Sequence, residues 1–148
     1  MPLDLPYSES DLSRLLIDNS LQGLLILQDE RIIFVNKAVS EVSGYAPEEL
    51  QSFSSKELMA IVHPEDQERI FRSIENLIAG NSSPARQEFR IIRKDGAIRW
   101  VDTLASSLKY QNRPALHLAY LDITERKRTE DALNESNSLL RSSSTAQE

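Results

Sequence analysis

The chain has 148 residues, enough for one domain with a proper core and short extensions. Its formal charge of −6 argues against direct nucleic-acid binding and against anionic membrane surfaces, and no apolar run nears the roughly 20 residues a membrane span needs. With no cysteine there is no disulfide, thiolate metal site, iron–sulfur cluster or cysteine adduct, and His63 and His117 alone do not make a multi-histidine metal site.

The opening "MPLDLPYSES" lacks the basic and apolar regions of a secretory signal, so the expected compartment is the cytoplasm. From Ser8 to Asn19 the pattern predicts a helix, with Leu12, Leu15, Leu16 and Asn19 on one face and Asp11 in the first turn. "GLLILQ" and "RIIFVN" then read as two strands joined at Asp29-Glu30, a hairpin without the usual turn glycine. Both faces of these strands are apolar, Leu24 and Ile26 on one and Leu25 and Leu27 on the other, so something covers each face.

Short helices follow. "KAVSEVSGY" ends at Gly44, placed as a left-handed cap, and Pro47 opens "PEELQ". Ser54 and Glu57 have capping-box spacing before "LMAIV". The longest pattern begins at "HPEDQERIFRSIENLIAG". Pro64 fits the first turn, Glu65 and Asp66 complement the dipole, and Ile70, Phe71, Ile74, Leu77 and Ile78 form a stripe that Gly80-Asn81 stops.

The rest of the domain reads as strands. "RQEFRIIR" and "AIRWVDTLASSLKY" flank the turn Lys94-Asp95-Gly96, and "RPALHLAYLDI" is the last strand, entered past Asn112, Arg113 and Pro114. Two strands, several short helices and three strands make an α+β layer arrangement. Residues 125 to about 141 predict a solvated helix with a thin seam, Leu133 and Leu140 seven apart and Ala132 and Leu139 likewise. That is too short for a stable coiled coil by itself. The ending "RSSSTAQE" reads as frayed or as a truncated boundary. The expected domains are an N-terminal cap over 1–20, a core over 21–124 and a linker helix over 125–148.

Six landmarks now stand in order: "FVN" at 34–36, "SGY" at 43–45, "HPED" at 63–66, "RKDG" at 93–96, "RW" at 99–100 and "DIT" at 122–124. In this order and spacing the chain resembles the PAS sensory domains of prokaryotic signalling proteins, over about residues 12 to 126. The resemblance implies a five-stranded antiparallel sheet with the helices cupped over one face and a cavity between them, ligand-filled in some members and packed in others. Two departures stand out. The first hairpin has no glycine, and Val39 stands where many relatives carry phenylalanine, which predicts more room beside it.

Several chemistries can be weighed on these residues. The chain is similar to the light-oxygen-voltage flavin photoreceptors, whose adduct needs the cysteine that this sequence lacks; flavin held without an adduct stays open, and nothing favours it. Haem needs an imidazole aimed into the cavity. His63 precedes Pro64 and reads as a helix cap, and His117 has the opposite strand parity to Leu116, Leu118 and Tyr120, so haem is set aside. Glu48-Glu49, Glu65-Asp66 and Glu130-Asp131 are adjacent carboxylates at helix starts or on exposed faces, fit for dipole and solubility roles rather than catalysis. With no phosphate loop and no nucleophile elbow, the chain does not read as an enzyme.

What remains is the cavity and the opposite face. Alternation sets Phe89, Ile91, Val101, Thr103, Ala105, Ser107, Leu116, Leu118 and Tyr120 on one side, with Ile70 and Ile74 facing them and Asn36 and Tyr45 as polar handles. This predicts a modest pocket for a small apolar or mixed-polarity ligand, with a closed, ligand-free core as the equal alternative. The other parity gives Leu25, Leu27, Trp100, Leu104, Leu108, Ala119 and Leu121, a patch that the N-terminal helix and a second copy would cover. The expected homodimer interface therefore contains Leu12, Leu15, Leu16, Leu25, Leu27 and Leu121.

The stretch "ALHLAYLDITERKR" passes from strand to charged helix without a loop. Asp122 is the expected N-cap, with Glu125 closing a capping box and with Arg99 or the indole N–H of Trp100 as a partner. Arg99, Trp100, Asp122, Ile123 and Thr124 are thus the candidate signal-transfer residues. The function expected is a sensory and dimerisation module acting in cis on a histidine kinase, a cyclic-dinucleotide enzyme or a transcription factor. The alternatives are a ligand-free scaffold, or a flavin- or haem-based redox or gas sensor.

Overall fold

Between Gln28 and Arg31 the chain reverses in two residues, and the computed structural model, which describes residues 21–80 and 85–146, shows how it does so without glycine. Asp29 and Glu30 both take left-handed backbone angles, φ 53° and 63°, the mirror-image turn that matches strand twist. This turn joins β1 (Gly23–Gln28) to β2 (Arg31–Val35). The same device recurs at Gln111 and Asn112, φ 52° and 61°, between β4 (Ile98–Tyr110) and β5 (Arg113–Asp122). Gly96, at φ 87°, turns the chain from β3 (Ala85–Ile92) into β4 where the sequence predicts it.

All pairings are antiparallel, in the order β2-β1-β5-β4-β3. The β1–β2 ladder shifts register between Ile26 and Leu27, and Ile33 is left exposed at that point.

Four helices connect β2 to β3: α1 (Lys37–Ser43), α2 (Pro47–Gln51), α3 (Ser55–Met59) and α4 (Pro64–Ile78). Their ends follow the sequence signals. Gly44 caps α1 at φ 78°, Pro47 opens α2, and Ser54 Oγ accepts from Glu57 N at 3.2 Å at the head of α3. The helix predicted through "LMAIV" stops at Met59, because Val62 bridges to Ile91 and Ile92 N donates to Ile61 O. Strand pairing wins those residues from the helix. His63 caps α4 as expected, Nδ1 accepting from Glu65 N at 3.2 Å.

The core forms where the helices meet one sheet face. Leu25, Ile32, Val39, Leu50, Leu77, Ala105, Leu116 and Leu118 make one buried cluster, and Ile61, Val62, Ile70, Phe89, Ile91 and Val101 make a second. The predicted α4 stripe is narrower than its apolar residues: Ile70 and Leu77 are buried, but Phe71 is 51% exposed and Ile78 68% exposed. Ile70, Ile74 and Leu77 make the inward side of the helix.

Register corrects a second expectation. Leu25 lies opposite Leu118 and Leu27 opposite Leu116, so both share the core face and Leu25 is fully buried. Neither belongs to the outer face or to an interface there. Alternation gave β1 two apolar faces, and only pairing with β5 decides which points inward. The outer side of β1 carries Leu24 and Ile26, opposite Ala119 and His117.

Among the described residues no helix is long and apolar enough to cross a membrane. The final helix, α5 (Thr124–Ala146), leaves the end of β5 directly. From Glu130 to Leu139 it is exposed on every side, Leu133 and Leu139 included. The side chain of Leu140, and the predicted helix with Leu12, Leu15 and Leu16, lie outside the described residues.

Candidate functional site

Two places combine unusual chemistry with position. The first is the core face between the two clusters. Ile70, Phe89, Ile91 and Val101 fall in one cluster and Ala105, Leu116 and Leu118 in the other, while Ile74, Tyr45 and Tyr120 pack against both. Phe53 and Leu58 do the same, two side chains the sequence reading left out. Phe53 lies in the link between α2 and α3 and Leu58 in the short α3, where no periodicity reveals the inward direction. Phe53 meets Tyr45 edge to face, centroids 5.2 Å apart.

At the seam between the clusters lies Thr103, only 6% exposed and across from Tyr120. Among the described residues its buried hydroxyl has no hydrogen-bond partner, an arrangement that costs about 1–3 kcal/mol when nothing answers it. Burial pushes the Tyr120 phenol above its ordinary pKa, so it stays a neutral donor. Ser107 departs from the predicted set, since it is exposed towards the far end of β4.

Asn36 is not a polar handle for this region. Its Oδ1 accepts from Leu24 N at 2.9 Å and caps α1 at Val39 N, and its Nδ2 donates to Gln22 O at 2.9 Å. Val39 packs closely on Gly23 of β1. A Cβ on Gly23 would lie 2.9 Å from Val39 Cγ2, so the valine already fills the space over that strand.

The second place is the β5–α5 junction. Asp122 Oδ1 accepts from Thr124 N at 2.9 Å and from the Thr124 hydroxyl at 2.5 Å. Thr124 Oγ1 accepts in turn from Trp100 N at 2.9 Å, and Ile123 N donates to Trp100 O at 2.9 Å. Ile123 and Thr124 are buried, so the first residues of the helix are stitched to β4 before the helix leaves the body. The expected capping box forms otherwise: Thr124 takes the carboxylate of Asp122, and Glu125 pairs with Arg128 instead. Arg99 is the other expected partner, its Nη1 standing 4.0 Å from Asp122 Oδ2, a loose pair. Trp100 takes part through its backbone N–H and carbonyl, not through the indole N–H that the sequence suggested.

Around the ring of Trp100 lies a charge network absent from the sequence reading. Lys127 Nζ stands 4.9 Å from the ring centroid and Arg90 Cζ 5.4 Å from it. Lys127 also pairs with Glu88 at 2.8 Å, and Arg126 pairs with the same carboxylate. Glu88 is held below the usual carboxylate range, chiefly by Lys127 and then by Arg126. Arg90 is gripped by Asp66, which also accepts from Arg90 N at 2.9 Å, and this guanidinium lowers the Asp66 pKa. The signal was available, since Glu88 and Arg90 alternate with inward Phe89 and Ile91 and so must face outward, where "ERKR" begins.

The chemistry of either place is that of holding and coupling. Among the described residues no three His, Cys, Asp or Glu side chains gather as a metal site. His117 lies on the outer face, opposite Ile26 and Ser106.

Comparison with known proteins now bears on this geometry. The sequence pattern of the family described as "PAS fold" matches residues 32–119, more than half of the chain. The chain belongs to the PAS family. PAS domains are sensory modules, not catalytic ones. It is 31% identical over 97 residues to a protein of Escherichia coli (strain K12) named "Probable diguanylate cyclase DgcE", covering 64% of this chain and 8% of that protein. It is 29% identical over 113 residues to the "Methyl sulfide methyltransferase-associated sensor" of Methanosarcina acetivorans, covering 72% and 11%. The chain thus spans about a tenth of the length of these relatives. A solved sensory box histidine kinase/response regulator from Burkholderia thailandensis superposes with a TM-score of 0.68 at 22% identity, covering 87% of this chain and 97% of that one. At that identity the likeness speaks for the PAS fold alone.

Proposed function

We propose that this PAS domain is a sensory and dimerisation module whose state is passed through the β5–α5 junction to an output domain in cis. The observation that carries the reading is the continuous bonding of Asp122, Thr124 and Trp100, which makes the last strand and the head of α5 one stiff element. A shift of β4 or β5 then has to become a rotation or displacement of α5. The names of its relatives suggest the outputs, a diguanylate cyclase and a histidine kinase. The partly buried ring of side chains around Thr103, with its unanswered hydroxyl, supports a small, neutral, largely apolar ligand as the input. The outer sheet face supports pairing with a second copy. The test is Asp122→Ala in the full receptor. Input should no longer change output while the domain stays folded, and normal signalling by that variant would refute the lever.

A second reading, a scaffold that dimerises and spaces its neighbours without a ligand, draws on the closed space between Val39 and Gly23. Flavin or haem sensing has no residue here that favours it.

A further inference from the structure

Two cations stand against one indole. Arg90 reaches Trp100 from β3 and Lys127 reaches it from the close of the first turn of α5, at 5.4 Å and 4.9 Å from the ring centroid. Each is attracted by the ring and the two repel one another, so the pair holds only if both charges are answered locally. They are answered from different elements. Arg90 is held by Asp66 and Glu65 at the head of α4, at 2.9 Å each, and Lys127 is held by Glu88 of β3 at 2.8 Å. The side chain of Asp66 is almost wholly buried and those of Arg90 and Lys127 about three-quarters buried, so solvent screens these charges only in part.

We propose that Trp100 and its two cations form a second coupling path, which ties the head of α4 to α5 and bypasses the Asp122–Thr124 stitch. Among the described residues no hydrogen bond or ion pair joins Lys127 to Glu65 or Asp66. The ring and its charge balance link them, beside a route along β3 in which Arg69 stands 3.7 Å from Asp66 Oδ1 and donates to Glu88 O at 3.1 Å. Loss of the carboxylate at one end leaves excess positive charge over the indole and pushes the far cation away. α4 also carries Ile70 and Ile74, which pack on the core face, so any change that moves this helix moves Arg90 with it. The path therefore gives the core a route to the exit helix that does not require the β5 end to move. It stands independently of the junction lever.

Coupling of this kind is reciprocal, and that makes it testable in the 148-residue chain by amide hydrogen exchange. In Asp66→Asn the amides of residues 127–131 should exchange about fivefold faster, the low end of typical coupling. In Lys127→Met, which relieves the repulsion on Arg90, the amides of residues 66–70 should exchange more slowly by a similar factor. Emission from Trp100, the only tryptophan in the chain, should shift in both. If each variant disturbs only its own end, the proposal is overturned. Should Asp66→Asn fail to fold, Glu88→Gln tests the same link from the α5 side, and unchanged exchange at residues 66–70 there overturns it equally. Repeating Asp66→Asn in an Asp122→Ala background separates the two routes. The effect on residues 127–131 should persist, and its disappearance would assign the coupling to the junction and refute a second path.

Discussion

Glu30 and Gln111 pay a conformational cost that their neighbours Asp29 and Asn112 bear more easily, because a short polar side chain tolerates the left-handed region. For a long side chain that region costs roughly 1–2 kcal/mol, while glycine there gives back about 0.5–1 kcal/mol in unfolded-state entropy. The turns are tied together from outside, by the Arg113–Asp29 ion pair and by Gln28 Nε2 donating to Tyr110 O at 2.9 Å. Glu30→Gly and Gln111→Gly should therefore each stabilise the domain by about 0.5–1 kcal/mol in urea unfolding. A loss of stability in both would mean that the side chains contribute something the turn geometry does not require. The position of these turns was legible in the sequence from the two-residue gap between apolar runs. Their type was not, since Asp-Glu and Gln-Asn lack the glycine that announces a positive φ.

At the level of elements, α4, β3, β4 and α5 are joined by three carboxylates whose cations all lower their pKa: Asp66 through Arg90, Glu88 through Lys127 and Arg126, and Asp102 of β4 through Arg86 of β3. Each binds a proton more weakly in the folded chain than in the unfolded one, so acid favours unfolding. Their contribution is whole above the ordinary values of 3.8 for aspartate and 4.5 for glutamate, and it drains as pH falls through the lowered folded values. Urea unfolding from pH 7 down to pH 3 (an experimental range of about four units) should show stability falling most steeply below about pH 4. Asp66→Asn should cost about 1.5–3 kcal/mol at neutral pH and flatten part of that acid slope. An unchanged slope would mean that Asp66 is not among the groups that acid must protonate. Helix signals such as Gly44, Pro47, the Ser54–Glu57 box and His63-Pro64 were all legible, because caps are local. The facing of β1 was not, because Leu25 and Leu24 are equally apolar and the choice is made by β5, some ninety residues away by the register Leu25 with Leu118. The network at Trp100 was hidden for the same reason, being assembled from four separate stretches.

For the molecule as a whole, the two sheet faces differ in what covers them. The inner face carries four helices and both buried clusters, whereas the outer face keeps Leu104 44% exposed and Leu121 45% exposed, with Ala119 between them and Leu24 and Ile26 alongside. Such a patch on a soluble chain is ordinarily covered by a partner. A second copy is the partner that the proposed function requires, because a rigid α5 has an effect on output when it moves against its equivalent. Leu104 is the informative position. It lies on the central part of the outer face opposite Ala119 and next to Arg86, so a glutamate there meets water and a guanidinium in the monomer but a desolvated pair of carboxylates between two copies. Leu104→Glu should leave unfolding stability within about 0.5 kcal/mol of the parent chain. It should weaken self-association at least tenfold, about 1.4 kcal/mol, in sedimentation or light scattering over micromolar concentrations. Parent and variant with the same association constant would remove this face from the interface, and with it the geometry by which α5 of one copy could act on α5 of the other.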